Sequence, residues 1–163
     1  MTPHERLLRD FGFSPIGKLV NGETKKKDGR EYVSIDVAWQ CSSVDRTGPI
    51  CYVFLIDGEV KYVGISGTKK QTFDDRLKDH CSGWRHELSD KPSTQTAYKP
   101  EYEKTYLPIV KAGAADIWAL QEADAPRLTF RPNEIENPCV EGIEKLLIGV
   151  FTETASNGLD RRK

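Results

Sequence analysis

The sequence predicts an α/β sandwich of the α+β kind, with a central antiparallel three-stranded sheet flanked by helices and an N-terminal extension. Three observations carry that prediction. Two apolar runs, Ile50–Ile56 and Val60–Ile65, are separated by Asp57-Gly58, a two-residue hairpin signal. A third short strand reads from Asp116 to Gln121. Helical patterns follow the hairpin and close the chain, from Thr72 or Asp74 to Cys81 and from Pro138 to Phe151.

The elements follow in order. Leu7, Leu8 and Phe11 give residues 4–13 a helical spacing that stops around Gly12 and Pro15. Ile16–Val20 and Tyr32–Trp39 read as strands. In the second, Val33, Ile35, Val37 and Trp39 alternate with Ser34, Asp36 and Ala38, so one face is apolar. Asn21-Gly22 and the charged stretch Lys25–Arg30 between them predict an exposed hairpin loop. Thr47-Gly48-Pro49 breaks the chain before the central hairpin.

From Ser82 to about Pro100 the pattern is polar, and this is taken as an inserted loop. Tyr102–Ala112 predicts a helix with Pro108 near its start, and Leu128–Phe130 a minor strand. In the last helix Val140, Ile143, Leu147 and Val150 are the expected buried stripe. The predicted organisation is a 1–48 arm, with a short helix and hairpin, and a 49–163 core carrying the insertion at 82–100.

Composition excludes some classes. The longest apolar runs are a few residues, against roughly 20 for a membrane span, and mean hydropathy is −0.57, so no membrane partner is expected. Three Trp, six Tyr and six Phe are too many for a disordered chain. The charge sums to −1, so nucleic-acid binding would rest on a local patch. Cys41, Cys51, Cys81 and Cys139 are scattered without a C-x-x-C pair, and no apolar signal core precedes them; a cytoplasmic location with reduced thiols is expected. His80-Cys81 and His86 lack a second pair at ligand spacing, so structural zinc is not predicted.

The hairpin carries Tyr52 in Ile50-Cys51-Tyr52 and Tyr62 in Tyr62-Val63-Gly64, which a tight turn sets on adjacent strands. The next helix presents Arg76 and His80 at i and i+4 on one face. Taken singly, the tyrosines read as packing residues and Arg76 as a surface partner of Asp75 or Asp79. Taken in order, the set resembles the GIY-YIG nuclease superfamily. That pattern has a tyrosine in one strand, Tyr-Ile-Gly in the next, an Arg in the following helix, a Glu in a later helix and an Asn near the end. Arg76 matches within Phe73–Leu77, Glu144 within Glu144-Lys145-Leu146-Leu147-Ile148, and Asn157 follows thirteen residues on. His80 falls where some restriction endonucleases of the superfamily place His or Tyr. The likeness spans roughly Pro49 to Gly158, and it departs in having Ile50 at the first Gly and a long 82–138 stretch.

The resemblance implies a metal-dependent DNA endonuclease, of the type II restriction kind on double-stranded DNA. Two alternatives stay open, an inactive DNA-binding module of the same fold and a phage-type non-specific nuclease. Phosphodiester hydrolysis needs a deprotonated water, and a phenol with a free pKa of about 10 becomes a base only if its anion is stabilised. By the resemblance Tyr52 activates water, Tyr62 positions or tunes it, and Arg76 holds the scissile phosphate. Glu144 binds Mg²⁺ or Mn²⁺, with Glu141 one turn away as competitor. His80 contacts phosphate or water or supports Tyr52, and Asn157 fixes the exit of the Glu144 helix. Lys69, Lys70, Arg161, Arg162 and Lys163 are candidate DNA-backbone contacts, and Trp84, Arg85, His86, Gln95 and Tyr98 candidate DNA readers. Cutting both strands with one site per chain implies a homodimer or two nicks.

Overall fold

Asp57 and Gly58 both adopt positive φ, 51° and 76°, the backbone that a two-residue turn requires to match strand twist. They close the predicted hairpin, β3 (Ile50–Ile56) against β4 (Glu59–Ser66). The computed structural model describes residues 1–27, 29–40, 44–67, 71–82, 86–87, 107–125 and 140–152. Its remaining elements are α1 (Pro3–Asp10), β1 (Ser14–Lys27), β2 (Arg30–Trp39), α2 (Phe73–Ser82), β5 (His86–Glu87), α3 (Leu107–Ala112), β6 (Ala114–Gln121), a 3₁₀ turn (Glu122–Asp124) and α4 (Val140–Thr152).

The sheet is larger than the three strands expected. Among the described residues it is six-stranded and antiparallel, ordered β4-β3-β6-β1-β2-β5, with β5 only two residues long. Residues 1–48, expected as an added arm, contribute β1 and β2 to it, and β1 pairs with β6 from Ser14↔Ala119 to Val20↔Ala114. The expected loop over 21–30 is also corrected: after a bulge at Asn21/Thr24 the ladder resumes, and Lys25, Lys26 and Lys27 pair with Tyr32, Glu31 and Arg30. Backbone pairing with β2 extends a strand through residues whose side chains give no apolar signal.

Alternation along β3 divides the molecule into two layers. Ile50, Tyr52 and Phe54 face α2 and α3, packing with Phe73, Leu77, Ile109 and Val110. Cys51, Val53 and Leu55 face α1 and α4, packing with Leu8, Val140, Ile143 and Leu147. Helices therefore cover both faces, as predicted. The α4 stripe ends on Phe151, which is buried, whereas Val150, expected there, is 38% exposed.

Helix ends are set by local bonds. Thr2 caps α1 in a reciprocal box with Glu5 and donates to the Gly58 carbonyl at 2.7 Å, tying the helix to the hairpin turn. Thr72 caps α2: its hydroxyl accepts from the Asp75 N–H at 3.2 Å, and its own N–H donates to the Asp75 carboxylate. The Glu122 carboxylate accepts from Val140 N–H at 3.0 Å at the start of α4.

Candidate active site

Register brings the two motif tyrosines together. Tyr52 lies opposite Gly64 and Phe54 opposite Tyr62, so Tyr52 and Tyr62 share a face on the diagonal, with ring centroids 5.8 Å apart. The third letter of the second motif has a steric reason. A Cβ on Gly64 would lie 2.6 Å from Tyr62 Cε1, 2.7 Å from Tyr52 Cζ and 2.8 Å from Tyr52 Oη. Both rings occupy the space a side chain would need.

α2 crosses this face and delivers Arg76 and His80, one helical turn apart, to the phenols. Tyr52 Oη and His80 Nε2 are 2.6 Å apart and hydrogen-bonded. The Arg76 guanidinium interacts with both the Tyr52 and the Tyr62 phenol, and the two phenols interact with each other. The acids that a surface reading would pair with Arg76 are engaged elsewhere: Asp75 at the Thr72 cap, and Asp79 as acceptor from the Gln71 amide. Phe54, stacked on Tyr62 at 5.1 Å, and Phe73, 5.0 Å from Tyr52, complete an aromatic surround that the motif reading missed. The signal for Phe54 was the strand period itself, two residues on from Tyr52.

Burial first, and then Tyr62, pushes the Tyr52 phenol well above its usual value of 10, while the Arg76 charge and hydrogen bond pull against them. Burial also works to discharge Arg76, but the two phenol oxygens more than offset it and hold the guanidinium charged. Tyr52, Tyr62 and His80 are buried, and Arg76 is half-buried. Arg76 is thus the member of the four best placed to meet an anion from outside.

Glu144 sits elsewhere in the layering. It lies on the inward side of α4 beside Ile143 and Leu147 and is 7% exposed. α4 packs on the Cys51 face of the hairpin, opposite the face of Tyr52. Burial, and secondarily the Glu144 charge, push the Cys51 thiol far up, so its sulfur stays protonated. β4 is the edge strand of the sheet; α4 packs on β4 and β3 from one face, while α2 packs against β2 and reaches Tyr52 and Tyr62 on the other face with its side chains. Glu141, the competitor, is half-buried at the start of the helix.

The site thus gathers Tyr52, Tyr62, Arg76 and His80 on one face, with Glu144 on the helix across the sheet. Asn157, Lys69, Lys70, Arg161, Arg162 and Lys163 lie outside the described residues, as do Trp84, Arg85, Gln95 and Tyr98; of His86 only the backbone, in β5, is described.

No protein-family profile and no curated protein sequence matches this chain. A solved structure, the restriction endonuclease HPY188I in complex with product DNA, aligns over 97% of this chain and 83% of its own, at 13% identity and a TM-score of 0.45.

Proposed function

We propose that this chain is a metal-dependent DNA endonuclease of the GIY-YIG kind, acting on double-stranded DNA in the manner of a type II restriction enzyme. The observation that carries the reading is the convergence of a guanidinium, two phenols and an imidazole from two adjacent strands and one helix. A packing cluster has no use for a charged guanidinium bonded to two phenols, since removing that charge from water is costly. Phosphoryl transfer does have a use for it.

In this reading Arg76 binds the scissile phosphate through its fork of donors and offsets charge that develops on the oxygens. An attacking water forms its bond to phosphorus as the bond to the sugar oxygen breaks. The water's proton passes to Tyr52 Oη while the proton of Tyr52 moves to His80 Nε2, and solvent protonates the departing oxygen. The imidazole supplies what the raised phenol pKa withholds, a route by which Tyr52 acts without standing as a free phenolate. Tyr62 holds Arg76 and Tyr52 in register.

In this reading Glu144 would offer one carboxylate to a hard divalent cation, although among the described residues no cluster of three or more His, Cys, Asp or Glu side chains stands around it. Mg²⁺ or Mn²⁺ needs only one or two protein carboxylates when substrate phosphate and water complete its shell. Such an ion, when bound, supplies Lewis-acid charge at the phosphate. The DNA backbone is proposed to lie along the β4 edge of the sheet, within reach of Arg76 and of the Glu144 helix.

The complete burial of Tyr52 favours a second reading, a DNA-binding module in which Arg76 is an anion contact without hydrolysis. Supercoiled-plasmid cleavage with Mg²⁺ or Mn²⁺ separates the two. The expected result is cutting by wild type that a chelator abolishes and that Glu144→Gln and Arg76→Ala each lose by at least about 100-fold. Discrete bands support the restriction-like form, and a smear the non-specific nuclease. Retarded mobility without cutting would overturn the enzyme reading in favour of the module.

A further inference from the structure

The β1–β2 ribbon has a charge arrangement that the site does not use. Beyond Val20, β1 leaves β6 and continues paired with β2, whose other neighbour is the two-residue β5 at Tyr32 and Val33. Residues opposite one another in an antiparallel ladder share a face, and each step of one residue changes face. Val33 and Ile35 are buried in the α2/α3 layer, which assigns the faces. Lys26 and Glu31 pair on that inner side. Lys25 and Tyr32 pair on the outer side, and the next positions of that side are Lys27 and Arg30. Lys25 is exposed and Tyr32 half-buried. The outer side thus collects three cationic positions and an aromatic, while Glu31 falls on the inner side.

We infer that this ribbon is a second contact with double-stranded DNA, in which the Lys25, Lys27 and Arg30 positions meet phosphates while Tyr32 lies beside them. The inference rests on the DNA-directed reading above. A two-stranded ribbon is of a width that the major groove of B-DNA admits, and a chain whose charge sums to −1 needs cations concentrated in one place to hold a polyanion. This contact lies at the far end of the β1–β2 ribbon, whereas Arg76 meets the phenols of β3 and β4 and Glu144 sits on a helix packed on those same two strands.

The test is binding of a labelled duplex without divalent metal, over a salt series, by fluorescence anisotropy. The variants are Lys25→Gln/Lys27→Gln/Arg30→Gln and, as the face control, Lys26→Gln. Removing one phosphate-neutralising cation lowers the slope of log K against log salt by about 0.9. The triple variant is expected to fall by about 2 to 3 in slope and about 10- to 100-fold in affinity, with Lys26→Gln near wild type. An unchanged slope in the triple variant, or an equal fall from Lys26→Gln alone, overturns the ribbon assignment while leaving the DNA reading intact. A fall confined to single-stranded DNA overturns the groove contact. Wild type that binds no duplex at low salt overturns the DNA reading and the ribbon with it. Unchanged thermal unfolding of the triple variant, whose glutamines keep long side chains, separates weakened binding from a damaged fold.

Discussion

Tyr52 Oη and His80 Nε2 stand 2.6 Å apart inside a buried cluster, so the phenol is held by an imidazole on one side and a guanidinium on the other. Such a phenol keeps its proton in the folded state well beyond the usual value of 10. The unfolded chain releases that proton near pH 10, so the stability that goes with it is complete below about pH 10 and declines as pH rises further. One proton corresponds to about 1.4 kcal/mol per pH unit. Urea unfolding between pH 8 and 11 should therefore fall more steeply for wild type than for Tyr52→Phe. Parallel curves would mean that Tyr52 titrates when folded much as it does when unfolded.

Gly64 is expected to be intolerant of even one methyl. Its missing Cβ is the space occupied by Tyr62 Cε1 and the Tyr52 phenol, and both rings are themselves packed against Phe54 or Phe73. Overpacking of this kind costs about 1–3 kcal/mol. Gly64→Ala should show that loss in urea unfolding and should disturb the near-ultraviolet signal of the tyrosines. A loss below about 0.5 kcal/mol would show that the rings have room to give.

The hairpin and the α2 motif are legible in the sequence because each is local. Asp57-Gly58 sets its own turn, and Tyr52, Tyr62, Arg76 and His80 fall within one strand–turn–strand–helix stretch. The β1–β6 pairing joins segments about a hundred residues apart, and nothing in either strand names its partner. The layering of Glu144 is hidden for a related reason. Cys51 and Tyr52 are chain neighbours, yet strand alternation sends them to opposite layers, and only the packing shows which layer α4 takes. At the end of α4 the helical period allows either Val150 or Phe151 after Leu147. The choice falls to Phe151, whose ring meets His4 of α1 at 5.0 Å. Phe151→Ala should cost about 3–5 kcal/mol and Val150→Ala less than about 0.5; equal costs would return the stripe to the predicted phase.

Trp39 and Arg46 fasten the segment before β3 to the helix of the site. The Arg46 guanidinium lies 4.4 Å from the Trp39 ring centroid and 3.2 Å from the Asp74 carboxylate, and the Arg46 carbonyl accepts from the Phe73 N–H at 3.1 Å. Both side chains are about 40% exposed, so Arg46→Ala is expected to cost no more than about 1 kcal/mol globally. Its effect should concentrate at the start of α2, as faster amide exchange at Phe73 than at Leu77. Equal acceleration at both amides would mean that the latch supports the whole helix.

Arg76 offers the sharpest division between charge and shape. It bridges two phenols and, in the proposed reaction, the scissile phosphate; three partners in one plane suit a guanidinium with five donors in a fixed fork. Lysine would keep the charge but present a compact ammonium, unable to hold both phenols and an anion in one geometry. Arg76→Lys is therefore expected to lower plasmid cleavage by about 100-fold or more, close to the loss from Arg76→Ala. The fall should appear in kcat more than in KM, because the anion whose charge grows is in the transition state. DNA binding without metal should change much less. Arg76→Lys cleaving within about fivefold of wild type would mean that positive charge alone suffices, and that the fork serves to order Tyr52 and Tyr62 rather than to meet the phosphate.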